Sequence, residues 1–355
     1  MKTRTRQLAI MVAIAALAAV AWVAISRDSS PVPPTPRANE DVADDTPPAD
    51  TSATAPASAL IEDPPPAAAG DDEDAGVLVA ARWGSRRGEL GRLRPQEGNP
   101  EGPMSFARAG DDLLVLDQVN ARVARYDAKG NLRGTFDATE TTQDIAVAKD
   151  GTVALLDRLV DKTVRLVDKD GRAIGTLPLP EDRVGDPGLV TGVFVDGKDV
   201  YVEKEHGALA RIGSVDGSPA EPALLTGRPS KDGALLLMAT LSPPEAVVTL
   251  NAFDRKLGSL RFARAIQFPR PARQVTLLDT DMRGTIYLGV LGGSPQMVQI
   301  ACLDPGDGHA IGRVAVPTSD TPEESFRDFS VGDDGTIVLA LRTEDGVEYR
   351  SARCP

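Results

Sequence analysis

The chain has 355 residues, 4% aromatics, 39 basic and 52 acidic side chains, a net charge of −13 and two cysteines. That length suits one large domain with extras, and the low aromatic content leaves its core to Val, Leu, Ile and Ala. The acidic balance offers no basic face for nucleic acid, and two cysteines are too few for a disulfide framework.

The charge is uneven: residues 1–75 carry 5 basic and 12 acidic side chains, and the remainder is only mildly acidic. Residues 1–7 hold Lys2, Arg4 and Arg6, and the next 19 residues, 8–26 (LAIMVAIAALAAVAWVAIS), have no charge. At a rise of about 1.5 Å per residue such a run spans close to 30 Å of bilayer core. The flanking cations predict a cytoplasmic tail at 1–7 and place 27–355 outside the cytoplasm. A retained transmembrane anchor fits this length better than a cleaved signal peptide, although Ala19-Val20-Ala21 is a weak cleavage site. The alanine, proline and arginine bias points to a GC-rich bacterial source. The predicted location is therefore a single-pass inner-membrane protein with its domain in the periplasm, or a secreted protein if the segment is cleaved.

Residues 27–75 read as a disordered spacer. Ten prolines, no Phe, Trp or Tyr, and many Ala and Asp bury too little apolar surface to offset chain entropy.

From residue 76 the pattern is strand after strand. Asp-Gly-like turns precede apolar runs at Gly110 (DDLLVLD), Gly151 (TVALLD), Gly197 (KDVYVE), Gly233 (ALLLMA), Gly284 (TIYLGV) and Gly335 (TIVLAL). The spacings of 41, 46, 36, 51 and 51 residues suit six blades of four antiparallel strands, an all-β propeller over 76–355. The last unit stops after its third strand. The unpartnered run 76–83 (GVLVAARW) is its natural fourth, which closes the ring. The stretch 222–228 fits either the outer strand of the third unit or the inner strand of the fourth.

At 88–130 the chain resembles the NHL repeat, a propeller blade. Gly88, Glu89, Pro103, the strand at 113–117 ending in Asp117, then Asn120, Arg122, Val123, Tyr126 and Gly130 stand at the family positions. The resemblance is specific in this unit; the second has Asp161-Lys162-Thr163 where Asn-x-Arg would stand. The duties of these residues are structural. Asp117 can take turn amides, Asn120 suits a turn position with positive φ, and Arg122 can pair with Asp117 across a hairpin.

No catalytic constellation is legible. His206 and His309 lie in turns, which excludes a multi-histidine metal site and disfavours the histidine-dependent lyases among propellers. The acidic turns 168–171, 304–308 and 332–335 lack the length and alternation of a calcium loop. Gly292-Gly293-Ser294 is a turn, with no helix start or lysine after it to cradle phosphate. Cys302 and Cys354 are either one bridge in an oxidising compartment or two separate thiols.

The reading is an extracytoplasmic binding or scaffold module for an envelope protein or small ligand, with no cofactor. The alternative is a calcium-dependent hydrolase or lactonase with a central-channel site. Glu97, Asp144, Asp196 and Asn251, each near a mouth of the ring, would be its candidate ligands.

Overall fold

The computed structural model describes residues 76–355, except Pro222 and 294–296. Six four-stranded antiparallel sheets follow one another along the chain. We call them blades I to VI. Their inner strands are Ser105–Ala109, Asp144–Val147, Val190–Asp196, Arg228–Pro229, Ala272–Thr280 and Phe329–Val331. The chain is a six-bladed β-propeller.

The strand sequences explain the layering. Second strands such as Val153–Asp157 (VALLD) and Ile337–Arg342 (IVLALR) are buried along their whole length, being covered by a blade on either side. The outer strand of blade I, Leu132–Asp137 (LRGTFD), alternates half-buried and exposed residues, as a rim strand should. Tight turns after the first and third strands lie on one face of the disc, the turn face. The loops after the second strands and the passages between blades lie on the other, the crossover face.

Closure follows the sequence reading. Val77–Arg82 forms the outer strand of blade VI, antiparallel to Gly346–Ala352, with Val77 opposite Arg350 and Arg82 opposite Gly346. Residues 84–103 then cross from blade VI to the inner strand of blade I. Arg92 and Arg94 both donate to Glu323 at 2.6 and 2.7 Å, and the Trp83 indole donates to the Thr343 carbonyl at 2.8 Å. We call this crossing the strap.

The ambiguous stretch 222–228 is divided between two blades. Leu224–Thr226 is the outer strand of blade III, and Arg228–Pro229 is the inner strand of blade IV. Only Gly227 separates them. Its φ of +101° and a virtual Cβ 2.5 Å from the Leu237 carbonyl oxygen leave no room for another residue type. The outer strand of blade V, Ala310–Pro317, was not foreseen.

Apolar clusters fill five junctions: I/II, II/III, IV/V, V/VI and VI/I. Among the described residues the III/IV junction has no such cluster. Ion pairs span it instead, Arg228 with Glu203 and Arg255 with Asp196. The cysteines form a disulfide from the third strand of blade V to the end of blade VI, with Cα atoms 6.5 Å apart.

Among the described residues no helix is long and apolar enough to cross a membrane. The predicted tail, anchor and spacer at 1–7, 8–26 and 27–75 lie outside the described residues.

Candidate functional site

The inner strands enclose a channel of about 1250 Å³. Beside blade IV, whose inner strand is two residues long, Leu237, Met238 and Ala239 of the second strand form its wall. Three cations, each from a different blade than its carboxylate, cross this space. Arg327 of blade VI donates to Asp144 of blade II at 2.8 and 3.2 Å. Asp144 is fully buried and also accepts from Ser105 Oγ at 2.6 Å and Val193 N at 2.9 Å. Arg228 of blade IV forks onto Glu203 of blade III at 2.6 and 2.9 Å. Lys231 bonds Asp279 at 3.3 Å and also the Val331 carbonyl. The Phe194 ring has the Arg228 and Arg327 guanidiniums 5.1 and 5.4 Å from its centroid. Burial alone would raise the Glu203 carboxyl, but Arg228, with His206 nearby, brings it down to about 2.

The repeat-motif residues lie away from the channel, on blade I beneath the strap. Asp117, fully buried, accepts from Gly91 N at 2.8 Å and from Asn120 Nδ2 and Arg122 Nε, both at 2.9 Å. Arg122 continues to the Glu89 carbonyl at 2.6 Å, and Asn120 to the Gly84 carbonyl at 2.9 Å. The motif therefore closes its own loop, with Arg122 paired to Asp117 as expected, and also binds the strap, whose Gly91 N–H is the backbone amide that Asp117 accepts. The left-handed residue is Ala121, at φ +52°, and not Asn120, which sits in a 3-10 turn. Asn120 is needed for its amide. Gly130, at φ +76°, faces the closing strand, and a Cβ there would lie 2.3 Å from the Leu78 carbonyl oxygen.

The four proposed calcium ligands do not meet. Asp144 begins an inner strand at the crossover face, whereas Asp196 ends one at the turn face. Asn251 lies in the third strand of blade IV and Glu97 is exposed in the strap. Asp144 and Asp196 are moreover bound to arginines. His206 and His309 are exposed, as their turn contexts imply. His309 contacts Asp307 at 2.6 Å, and with Asp304 these groups form a small acidic turn.

A second feature lies on the crossover face of blades II and III. The loop after Val153–Asp157 is held by Asp157, whose carboxylate accepts from Leu159 N at 3.2 Å and Val160 N at 2.9 Å. The held loop exposes its apolar side chains, Leu159 at 53% and Val160 at 63%. Arg158 links it to blade III through the Gly188 and Val190 carbonyls at 2.9 and 2.6 Å, and packs over Phe326. Burial lowers the Arg158 pKa. Leu189, exposed at 39%, extends the patch. Around it stand the exposed carboxylates of Asp161, Glu181, Asp182, Asp186 and Glu205, with exposed Lys162 in the same loop and Arg183 paired to Asp182 at 3.8 Å, so the acids outnumber the cations. On the blade I side, burial together with Glu324 and Glu140 raises the Glu101 carboxyl.

Beside Asp157 opens a pocket of about 350 Å³ with threonines around it. Sequence reasoning missed both features. The signals were the Leu159-Val160 pair, apolar in a loop between charged residues, and the departure of 161–163 from the first unit's Asn-x-Arg.

No family model matches the chain, and no curated protein matches it. Among solved structures, U3-55K is similar at 9% identity and a TM-score of 0.50, over 79% of this chain and 99% of that one. Streptogramin B lyase is similar at 11% identity and 0.40, over 74% and 97%. BamB from Moraxella catarrhalis is similar at 12% and 0.39, over 78% and 97%. At such identities likeness shows the fold alone.

Proposed function

We propose that residues 76–355 are a protein-recognition module displayed outside the cytoplasmic membrane. Residues 8–26 would anchor it and 27–75 would hold it off the bilayer. The observation that carries this reading is the crossover-face patch, in which a buried carboxylate fixes a loop so that Leu159 and Val160 stay exposed. Large apolar side chains on a rigid loop, ringed by charge, have the composition of a docking centre. The disulfide accords with an oxidising compartment. The ion pairs across the channel hold blades II to VI in register, which keeps the face rigid.

The test is capture of the anchored protein after crosslinking in its own cells, with the wild type beside a Leu159→Asp/Val160→Asp variant. The reading expects one or more proteins recovered with the wild type and lost with the variant. Equal recovery from both, or no protein from either, would overturn it.

A further inference from the structure

The pocket beside Asp157 occupies the place that Arg122 and the strap fill in blade I. The two loops correspond residue by residue at their ends. Asp117 pairs with Arg122 across the second and third strands of blade I, and Asp157 pairs with Thr163 in blade II. The preceding residues, Ala121 and Lys162, share a left-handed φ of +52°. Their carbonyls accept from Ala138 N and Leu179 N, the same bond one blade apart. At the arginine position blade II therefore has the shorter Thr163. Where Arg122 fills blade I, blade II has an open cavity.

Its lining is suited to a cation. Asp157, 4% exposed, stands at the base, its Oδ1 taken by the Leu159 and Val160 amides and its Oδ2 accepting from Thr141 Oγ1 at 2.5 Å. The hydroxyl-bearing side chains of Thr139, Thr142 and Thr163 stand around it, the first two bonded to each other at 2.7 Å. Asp161, in the place of Asn120, is exposed and has no hydrogen bond or ion pair among the described residues. Arg165 is the one cation of the lining, and its guanidinium is turned towards the Asp137 carbonyl at 2.7 Å. Two carboxylates against one arginine leave the pocket a net negative charge.

We propose that this pocket takes the guanidinium of an arginine from the partner protein. The arginine lies in a segment that docks over the second-strand loop of blade II, where in blade I the turn at 84–91 docks. Asp157 and Asp161 receive the guanidinium, and Leu159 and Val160 carry the flanking apolar contact. Blade I supplies the precedent within the chain: the turn at 84–91 is held by a buried aspartate that accepts its Gly91 N–H and by a blade guanidinium that donates to its Glu89 carbonyl. The exposed acids around the patch favour a basic segment over an acidic one. The inference rests on the recognition-module reading and names its subsite.

The probe is the peptide Ac-Gly-Arg-Gly-NH2, titrated into the full-length chain with methyl-labelled threonine and read by NMR. Thr139, Thr142 and Thr163 are expected to shift saturably. Ac-Gly-Glu-Gly-NH2 is expected to leave them unmoved. Asp161→Asn should weaken the arginine peptide about fivefold. Thr163→Arg, which places in blade II the side chain that blade I carries, should abolish its binding; Asp161→Asn keeps the test open should that variant fail to fold. Absence of saturable shifts, equal shifts with the glutamate peptide, or unchanged affinity in Asp161→Asn would overturn the proposal. Cellular capture lost with the Leu159/Val160 variant, but no peptide binding, would refute the subsite and leave the recognition module standing.

Discussion

Arg327 and Asp144 are 183 positions apart in sequence and 2.8 Å apart in space. Blade VI reaches blade II through this contact, across the channel and past blade I. The side chain of Asp144 is fully buried, so loss of its cation leaves a buried charge with only neutral donors. Arg327→Met is expected to cost about 3 kcal/mol in urea unfolding. Asp144→Asn added to it should restore part of that loss, because the unpaired charge is then gone. No loss in the single variant would contradict the account.

The III/IV junction predicts an acid-sensitive seam. The Glu203 carboxyl is held at about 2 against an ordinary 4.5. A depressed folded value means that the stabilisation is complete above pH 4.5 and is lost as pH falls towards 2. By linkage the contribution is about 3 kcal/mol. Glu203→Gln should flatten the stability profile between those pH values and lower stability at neutral pH. Hydrogen exchange as the pH falls below 4.5 should quicken first in blades III and IV, where among the described residues no apolar cluster supports the junction.

The strap makes a local prediction. Arg122→Ala leaves the buried Asp117 without its cation and frees the Glu89 carbonyl, at an expected cost of about 3 kcal/mol. Asn120→Ala should cost about 1 kcal/mol. In both, the amides of Val79 and Ala81 in the closing strand should exchange faster, whereas those of blade IV should not. A uniform rise across all blades would contradict a clamp at the closure.

The disulfide closes a loop of 52 residues between blades V and VI. Chain entropy for such a loop gives about 4 kcal/mol, and measured effects often fall below that figure. Reduction, or Cys302→Ala with Cys354→Ala, should lower the unfolding temperature by several degrees without changing blade number. Equal melting of the oxidised and reduced protein would refute a stabilising bridge.

The features legible in sequence are the local ones. Glycine turns recur at intervals that count six blades, and Val77–Arg82 stands out because its alternation has no partner nearby. The motif residues Asp117, Asn120 and Arg122 were visible too, and so was the Asp117–Arg122 pair, but their partners in the strap were not. Gly84, Glu89 and Gly91 lie about thirty residues upstream, so a clamp on the strap reads locally as turn chemistry. Gly227 was ambiguous for a related reason: one residue divides two blades, which no strand-length expectation anticipates. The channel pairs join residues 25 to 183 positions apart, and nothing in Arg228 or Arg327 alone marks its carboxylate. The departure at 161–163 from Asn-x-Arg was legible, but the pocket was not, because only the folded blade shows that Thr163 stands at the position Arg122 takes in blade I.

The central claim is that the crossover face of blades II and III holds a partner protein. A photo-crosslinking residue at Val160 tests it in living cells, with Leu257 as the control. Leu257 is 78% exposed and lies in a tight turn of blade IV on the turn face. The account predicts a discrete protein adduct from position 160 and none from position 257. Equal adducts from both positions, or none from position 160, would contradict it.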